Sequence, residues 1–173
     1  MEKIVVSDTN IFIDLISVNL LDGFFSLPWE IHTTDLIVKE LKRAVQHKTV
    51  EDFCKRGYLK VRNIDGKDMA RLARMKLEQT TSNASIQDCS VWKLAKDLDC
   101  ALLTGDNKLR KVVQKDNIEV HGILYLFDKM LEYQIMDNET AISKLQNLYS
   151  INSRLPQDEI EKRIILWRKA SKA

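Results

Sequence analysis

Four acidic residues stand where a carboxylate needs a reason to be: Asp8, Glu40, Asp88 and Asp106. Asp8 follows the β-branched run Ile4-Val5-Val6 after one residue, in Ser7-Asp8-Thr9-Asn10. Asp106 follows the run Ala101-Leu102-Leu103-Thr104, in Thr104-Gly105-Asp106-Asn107. If both runs are parallel strands, both acids lie at the carboxyl edge of the sheet, where open α/β sheets bind ligands. Glu40 reads as part of the inward stripe of a helix, with Leu36 and Ile37 before it and Ala44 after it at helical spacing. Asp88 shares a helix face with Val91, Trp92 and Ala95. A charged group on an apolar stripe is costly to bury unless something pairs with it. Acids that converge also raise each other's pKa. A divalent cation answers both problems, and Mg2+ takes one or two carboxylates while keeping several waters. Each acid also has a plainer use. Asp8 and Asn10 could cap the first helix, Asp106 could be a turn or N-cap residue, Asp88 could complete a capping box with Ser85, and Glu40 could meet a surface lysine. Capping leaves unexplained why two of the acids occupy core-facing helix positions.

The elements that must position these groups alternate between strand and helix. Strands are expected at Ile4–Val6, Ile31–Thr34, Tyr58–Ile64, Ala101–Thr104 and Ile118–His121. Helices are expected at 10–18, 35–45, 50–55, 67–79 and 85–99, with a basic helix starting near Asn107. Strands separated by single helices imply parallel pairing, right-handed crossovers and helices on both faces. After Gly122 the pattern is helical throughout: 123–134, 138–149 and 156–169. Pro156 suits a first turn, and Asp158 and Glu159 early with Arg168 and Lys169 late match the helix dipole.

The totals set limits. The 173 residues suffice for one domain with a real core. Five Gly and two Pro are too few for a loop-rich all-β protein. A net charge of +2 predicts no nucleic-acid partner by itself, so any such role needs a local basic patch. Cys54, Cys89 and Cys100 have neither disulfide nor zinc spacing. Cys89 and Cys100 read as small buried hydrophobes, and reduced thiols point to a cytoplasmic protein. The N-terminus lacks a signal-peptide layout, and no segment approaches the roughly 20 apolar residues of a membrane span.

Ser7-Asp8-Thr9-Asn10, Glu40 after the second strand, Asp88 early in a helix and Leu103-Thr104-Gly105-Asp106 together resemble the PIN domain. Val120-His121-Gly122-Ile123-Leu124 further resembles prokaryotic members related to the VapC toxins. The resemblance covers residues 1–135 as the nuclease domain, with 136–173 as a helical extension packed on it. It implies a three-layer α/β/α sandwich whose parallel sheet runs 3-2-1-4-5. It implies Mg2+- or Mn2+-dependent hydrolysis of RNA phosphodiesters, leaving a 5′-phosphate and a 3′-hydroxyl. Asp8, Glu40, Asp88 and Asp106 map onto the acidic quartet, with Asn10 and Thr104 as supporting polar groups. Where some members carry a further acid after the fourth, this chain has Asn107 and Lys108, which leaves the count of metal ions open.

Lys108, Arg110 and Lys111 adjoin Asp106 and are the expected RNA-phosphate contacts. The toxin subgroup implies a homodimer inhibited by a small antitoxin, and the lack of a long apolar segment leads to the expectation of no membrane association. The alternatives are an RNA-processing nuclease that is not a toxin, and a silent PIN-like module that binds RNA or protein. A haloacid-dehalogenase-like phosphotransfer enzyme fits less well, since that signature wants Asp-x-Asp where this chain has Asp8-Thr9-Asn10.

Overall fold

The computed structural model describes residues 3–78 and 83–170. Its strands are β1 (Lys3–Ser7), β2 (Trp29–Thr34), β3 (Leu59–Arg62), β4 (Ala101–Leu103) and β5 (Val120–His121). They form one sheet in the order β3-β2-β1-β4-β5, with every neighbouring pair parallel. The helices are α1 (Thr9–Ser17), α2 (Leu21–Phe25), α3 (Asp35–Glu40), α4 (Ala44–Lys55), α5 (Gly66–Glu78), α6 (Ile86–Asp97), α7 (Asn107–Val113), α8 (Ile123–Glu132), α9 (Asn138–Ile151) and α10 (Gln157–Ala170). A single 3-10 turn, Gln114–Asp116, follows α7. The architecture is the expected α/β/α sandwich with the expected strand order.

The central strands are short and mainly apolar because both of their faces are covered. Val5, Val6, Leu102 and Leu103 are all fully buried, as parallel strands between helix layers require. The register sets Ser7 beside Leu103 and Leu103 beside His121. The carboxyl ends of β1 and β4 therefore finish side by side, and the Asp8 amide donates to the Leu103 carbonyl at 3.0 Å.

Two compact units make up the chain: Met1–Ile13 with Pro28–Gly122, and Asp14–Leu27 with Ile123–Ala173. The first holds the sheet. In it α6 lies across β1, β2 and β4, and α3 packs against β2 and α6. A small cluster of Leu72, Ala84 and Cys89, flanked by Leu36, Ile64, Met75 and Ile86, joins α5, α6 and α3. The second unit is helical, with α8 packing on α2 and α9, and α9 on α10. Its centre includes Phe127 stacked on Trp167, ring centroids 6.3 Å apart. Arg163 makes a fork on Asp128, with Nη2 at 2.8 Å and Nε at 3.1 Å. Trp167→Ala is expected to cost on the order of 3 kcal/mol, read as a lower urea midpoint, because it empties a well-filled apolar site.

Several boundaries differ from the sequence reading. The expected helix 35–45 stops at Glu40. Leu41 turns out of the helix at φ −70°, ψ 88° and is buried, and a new helix, α4, begins at Ala44. The expected helix 50–55 is the second half of α4. The short helix α2 was not foreseen. The expected end of α5 at Gln79 lies outside the described residues. Cys89 is fully buried as expected, whereas Cys100 is only half-buried. Among the described residues no helix is long and apolar enough to cross a membrane.

Candidate active site

Asp8 is the best-fixed of the four acids. It follows β1 at the carboxyl edge and is 4% exposed. Its Oδ1 accepts the Thr9 amide at 2.7 Å. Its Oδ2 accepts the Thr104 hydroxyl at 2.7 Å and the Asn10 side-chain amide at 2.9 Å. Burial is the largest influence on this carboxyl and pushes its pKa up to about 6. The Thr104 and Thr9 hydrogen bonds work against that shift, and the negative charges of Asp88 and Glu40 add to it.

Thr104 and Asn10 link Asp8 to the turn that carries Asp106. Thr104, fully buried at the end of β4, gives its proton to Asp8 and accepts the Asp106 amide at 3.1 Å. Asn10 offers its amide nitrogen to Asp8 and its carbonyl to the Gly105 amide, at 2.8 Å. A Cβ at residue 105 would lie 3.3 Å from that Asn10 oxygen, so glycine permits the close approach. Asp106 is the N-cap of α7, with Oδ1 accepting from the Lys108 and Leu109 amides at 2.6 and 3.1 Å.

Asp88 closes a full capping box with Ser85: its Oδ2 accepts the Ser85 amide at 2.7 Å and its amide donates to the Ser85 hydroxyl at 3.0 Å. It is half-buried, at the start of a stripe whose Val91, Trp92 and Ala95 are buried. The plainer capping roles foreseen for Asp88 and Asp106 are both realised, and each occupies one carboxylate oxygen. Ser85→Ala is expected to lower stability by about 1 kcal/mol, measurable by denaturant titration.

Glu40 departs from its expected setting. With α3 ending there, it is an exposed last-turn residue, not part of an inward stripe. It reaches the site by another route: its Oε2 accepts the Thr9 hydroxyl at 2.5 Å. Thr9 was not singled out in the sequence, although it stands between Asp8 and Asn10. A second hydroxyl contact joins the elements that carry Glu40 and Asp88. Thr34, the N-cap of α3, meets Ser90 of α6 at 2.8 Å, and both are buried. Buried hydroxyls in a sequence carry no mark that separates these uses from ordinary core positions.

The expected RNA contacts divide. Lys108 and Lys111 are exposed. Arg110 is half-buried, with Nη1 on the Val120 carbonyl at 2.9 Å and Nη2 on the Thr104 carbonyl at 3.5 Å. Its guanidinium ties α7 to the ends of β4 and β5.

A donor set of four carboxylates with no sulfur suits a hard divalent cation such as Mg2+ or Mn2+. The charge pattern agrees. Among the described residues, none of the four acids makes an ion pair with lysine, arginine or histidine. As the side chains are placed, Thr9 joins Glu40 to Asp8 and Thr104 joins Asp8 to the Asp106 amide, whereas the Asp88 carboxylate bonds to Ser85. Among the described residues no three His, Cys, Asp or Glu side chains form a ready ligand cluster.

A five-stranded parallel sheet between helices, with Asp8 and Asp106 just beyond the carboxyl ends of the adjacent strands β1 and β4, defines an α/β/α domain with acidic residues at its strand ends. The PIN domain family matches residues 4–169, and the chain belongs to that family, whose members are broadly nucleases. Among solved structures, PAE2754 from Pyrobaculum aerophilum is similar at 15% identity and TM-score 0.51, covering 76% of this chain and 99% of that one. A PilT N-terminus domain protein, SSO1118, from Sulfolobus solfataricus is similar at 16% identity and TM-score 0.49, covering 75% and 94%. VapBC2 from Rickettsia felis, solved bound to a DNA fragment from its promoter, is similar at 18% identity and TM-score 0.46, covering 69% and 98%. At these identities the first likeness speaks for the fold alone. No curated protein matches the chain in sequence.

Proposed function

We propose that this protein is a Mg2+- or Mn2+-dependent endoribonuclease, with Asp8, Glu40, Asp88 and Asp106 as its catalytic acids. The observation that carries the reading is Asp8 itself. It is a buried carboxyl without a basic partner, hydrogen-bonded to residues that also hold Glu40 and Asp106, and it feels the charge of Asp88. Such a site favours a bound cation over three or four unopposed negative charges.

Asp8, Asp88 and Asp106 would hold the cation, and Glu40 would either join them or orient the attacking water as a general base. The cation supplies charge stabilisation on the scissile phosphate. Thr104 and the Thr9 amide fix the orientation of Asp8, and Asn10 braces the Gly105 turn so that Asp106 faces the same edge. Lys108 and Lys111 offer exposed positive charge next to Asp106. Contacts of that kind position an RNA backbone without reading bases. The likeness of residues 120–124 to the VapC-related group extends the proposal to the toxin of a toxin–antitoxin pair.

The test is cleavage of structured and single-stranded RNA by the purified protein with Mn2+ or with EDTA. Cleavage with Mn2+ and none with EDTA is expected, and EDTA-resistant cleavage would remove the reading. Lys108→Ala with Lys111→Ala is expected to weaken RNA binding and to reduce its salt dependence by about two phosphate contacts, measured by fluorescence anisotropy across a salt series. For the toxin role, growth arrest on expression is expected, and an active nuclease without arrest would point to RNA processing.

A further inference from the structure

Glu40 is badly placed to hold a fixed direction. It is exposed, it has a long side chain, and it ends a helix, where the backbone dipole disfavours negative charge. The chain leaves the helix at the next residue. The basic residues around it in sequence do not hold it: Lys39 pairs with Asp35 at 2.6 Å, and no lysine or arginine among the described residues pairs with Glu40.

Thr9 is the opposite kind of residue. It is 7% exposed and opens α1. The β1 end before it is held from both sides: Thr33 of β2 donates its hydroxyl to the Ser7 carbonyl at 2.8 Å, and the Asp8 amide donates to Leu103 of β4. Its β-branched side chain has few rotamers open to it in a helix. One residue thus joins two acids, with its backbone amide on Asp8 and its hydroxyl on Glu40 at 2.5 Å. That separation is in the range of a charge-assisted O–H···O− bond.

We propose that Thr9 is a positioning residue, whose hydroxyl holds the Glu40 carboxylate toward Asp8 and so sets the geometry in which Glu40 acts on the attacking water. This rests on the nuclease reading above. Thr9→Val keeps the shape and removes the donor, whereas Thr9→Ser keeps the donor. Thr9→Val is expected to lower kcat by about 10- to 100-fold with KM for RNA changed less than about twofold. Thr9→Ser is expected to stay within about threefold of the parent.

The deciding measurement is a double-mutant cycle. In a Glu40→Gln background, Thr9→Val is expected to change the residual rate by less than about twofold, since its only route to the chemistry has been removed. A second readout needs no metal and no substrate. The side-chain carboxyl 13C resonance of Glu40, followed by NMR in EDTA, is expected to move in Thr9→Val and stay near the parental position in Thr9→Ser. Thr9→Ala serves in the same cycle if the valine variant folds poorly.

An unchanged kcat in both Thr9→Val and Thr9→Ala would overturn the proposal, as would an equal loss in both backgrounds or an unmoved Glu40 resonance. Parental cleavage by Glu40→Gln would overturn the general-base role of Glu40 itself, a failure distinct from one confined to Thr9.

Discussion

Asp8→Asn is expected to abolish RNA cleavage and, at pH 7.5, to make the protein more stable. Both effects come from one buried carboxylate. Loss of its charge removes several kcal/mol of support for the cation and the transition state, on the order of a thousandfold in rate. The stability effect follows from the proton. Folding raises the Asp8 pKa from 3.8 to about 6. Between those values the unfolded chain has released a proton that the folded chain still binds, so stability falls as pH rises. Above about pH 6 the loss is complete, and a shift of about two units corresponds to about 3 kcal/mol. Asparagine has the same shape and carries no charge, so it escapes that cost. It forfeits part of the gain because it offers one acceptor oxygen where Asp8 takes bonds from Thr9, Thr104 and Asn10. A net gain of about 1–2 kcal/mol at pH 7.5 is expected, passing through zero and becoming a loss of about 1 kcal/mol near pH 4, where the parental Asp8 is protonated in the fold. Calorimetry at the two pH values, beside a fluorescent RNA cleavage assay with Mn2+, measures both. Mn2+ at a hundred times its Kd is expected to stabilise the parent by about 2.7 kcal/mol and the variant by much less. A variant that cleaves like the parent, or that is less stable at pH 7.5 than at pH 4 relative to it, would contradict this account of the site.

The strands and the acids at their ends could be read from the sequence because parallel strands covered on both faces must be apolar. Ile4-Val5-Val6 and Ala101-Leu102-Leu103 stand out for that reason, and Asp8 and Asp106 stand out by following them. The strand order came only with the family resemblance, since alternating strand and helix fits several orders. The end of α3 was hidden. Leu36, Ile37, Leu41 and Ala44 keep helical spacing straight through the break, with no glycine or proline to mark it. Hydrophobic spacing reports which residues are buried, not which backbone buries them. Leu41 is buried from an extended turn, so the stripe continues while the helix does not. Helical spacing therefore puts Glu40 on an inward stripe that the backbone does not form, and the residue is exposed.

The sequence also posed capping and catalysis as competing uses of Asp88 and Asp106. A carboxylate has two oxygens, and in each of these residues the cap engages one of them. Capping then becomes the means by which a side chain at a helix N-terminus is given a fixed direction. The hydroxyls that complete the arrangement, Thr9, Thr34 and Ser90, were not read, because a small buried polar residue gives no sequence signal of the partner it meets.

That double use makes Asp106 the residue at which fold and proposed chemistry can be separated. Asn is as good an N-cap as Asp, so Asp106→Asn is expected to keep α7 and leave the urea midpoint nearly unchanged. Its oxygen can still accept from the Lys108 and Leu109 amides. What it loses is the charge that a cation would meet, and cleavage is expected to fall by about a hundredfold or more. Asp106→Ala loses both functions. The Lys108 and Leu109 amides then have no side-chain acceptor, and a further cost of about 1 kcal/mol in stability is expected. Thr104 is also fixed partly through this turn, by accepting the Asp106 amide while donating to Asp8. Fraying of the start of α7 in the alanine variant therefore reaches Asp8, and its cleavage rate is expected to fall below that of the asparagine variant. Equal rates for the two variants with unequal stabilities would mean that the cap serves the helix alone. Parental cleavage by Asp106→Asn would remove this acid from the proposed cation site.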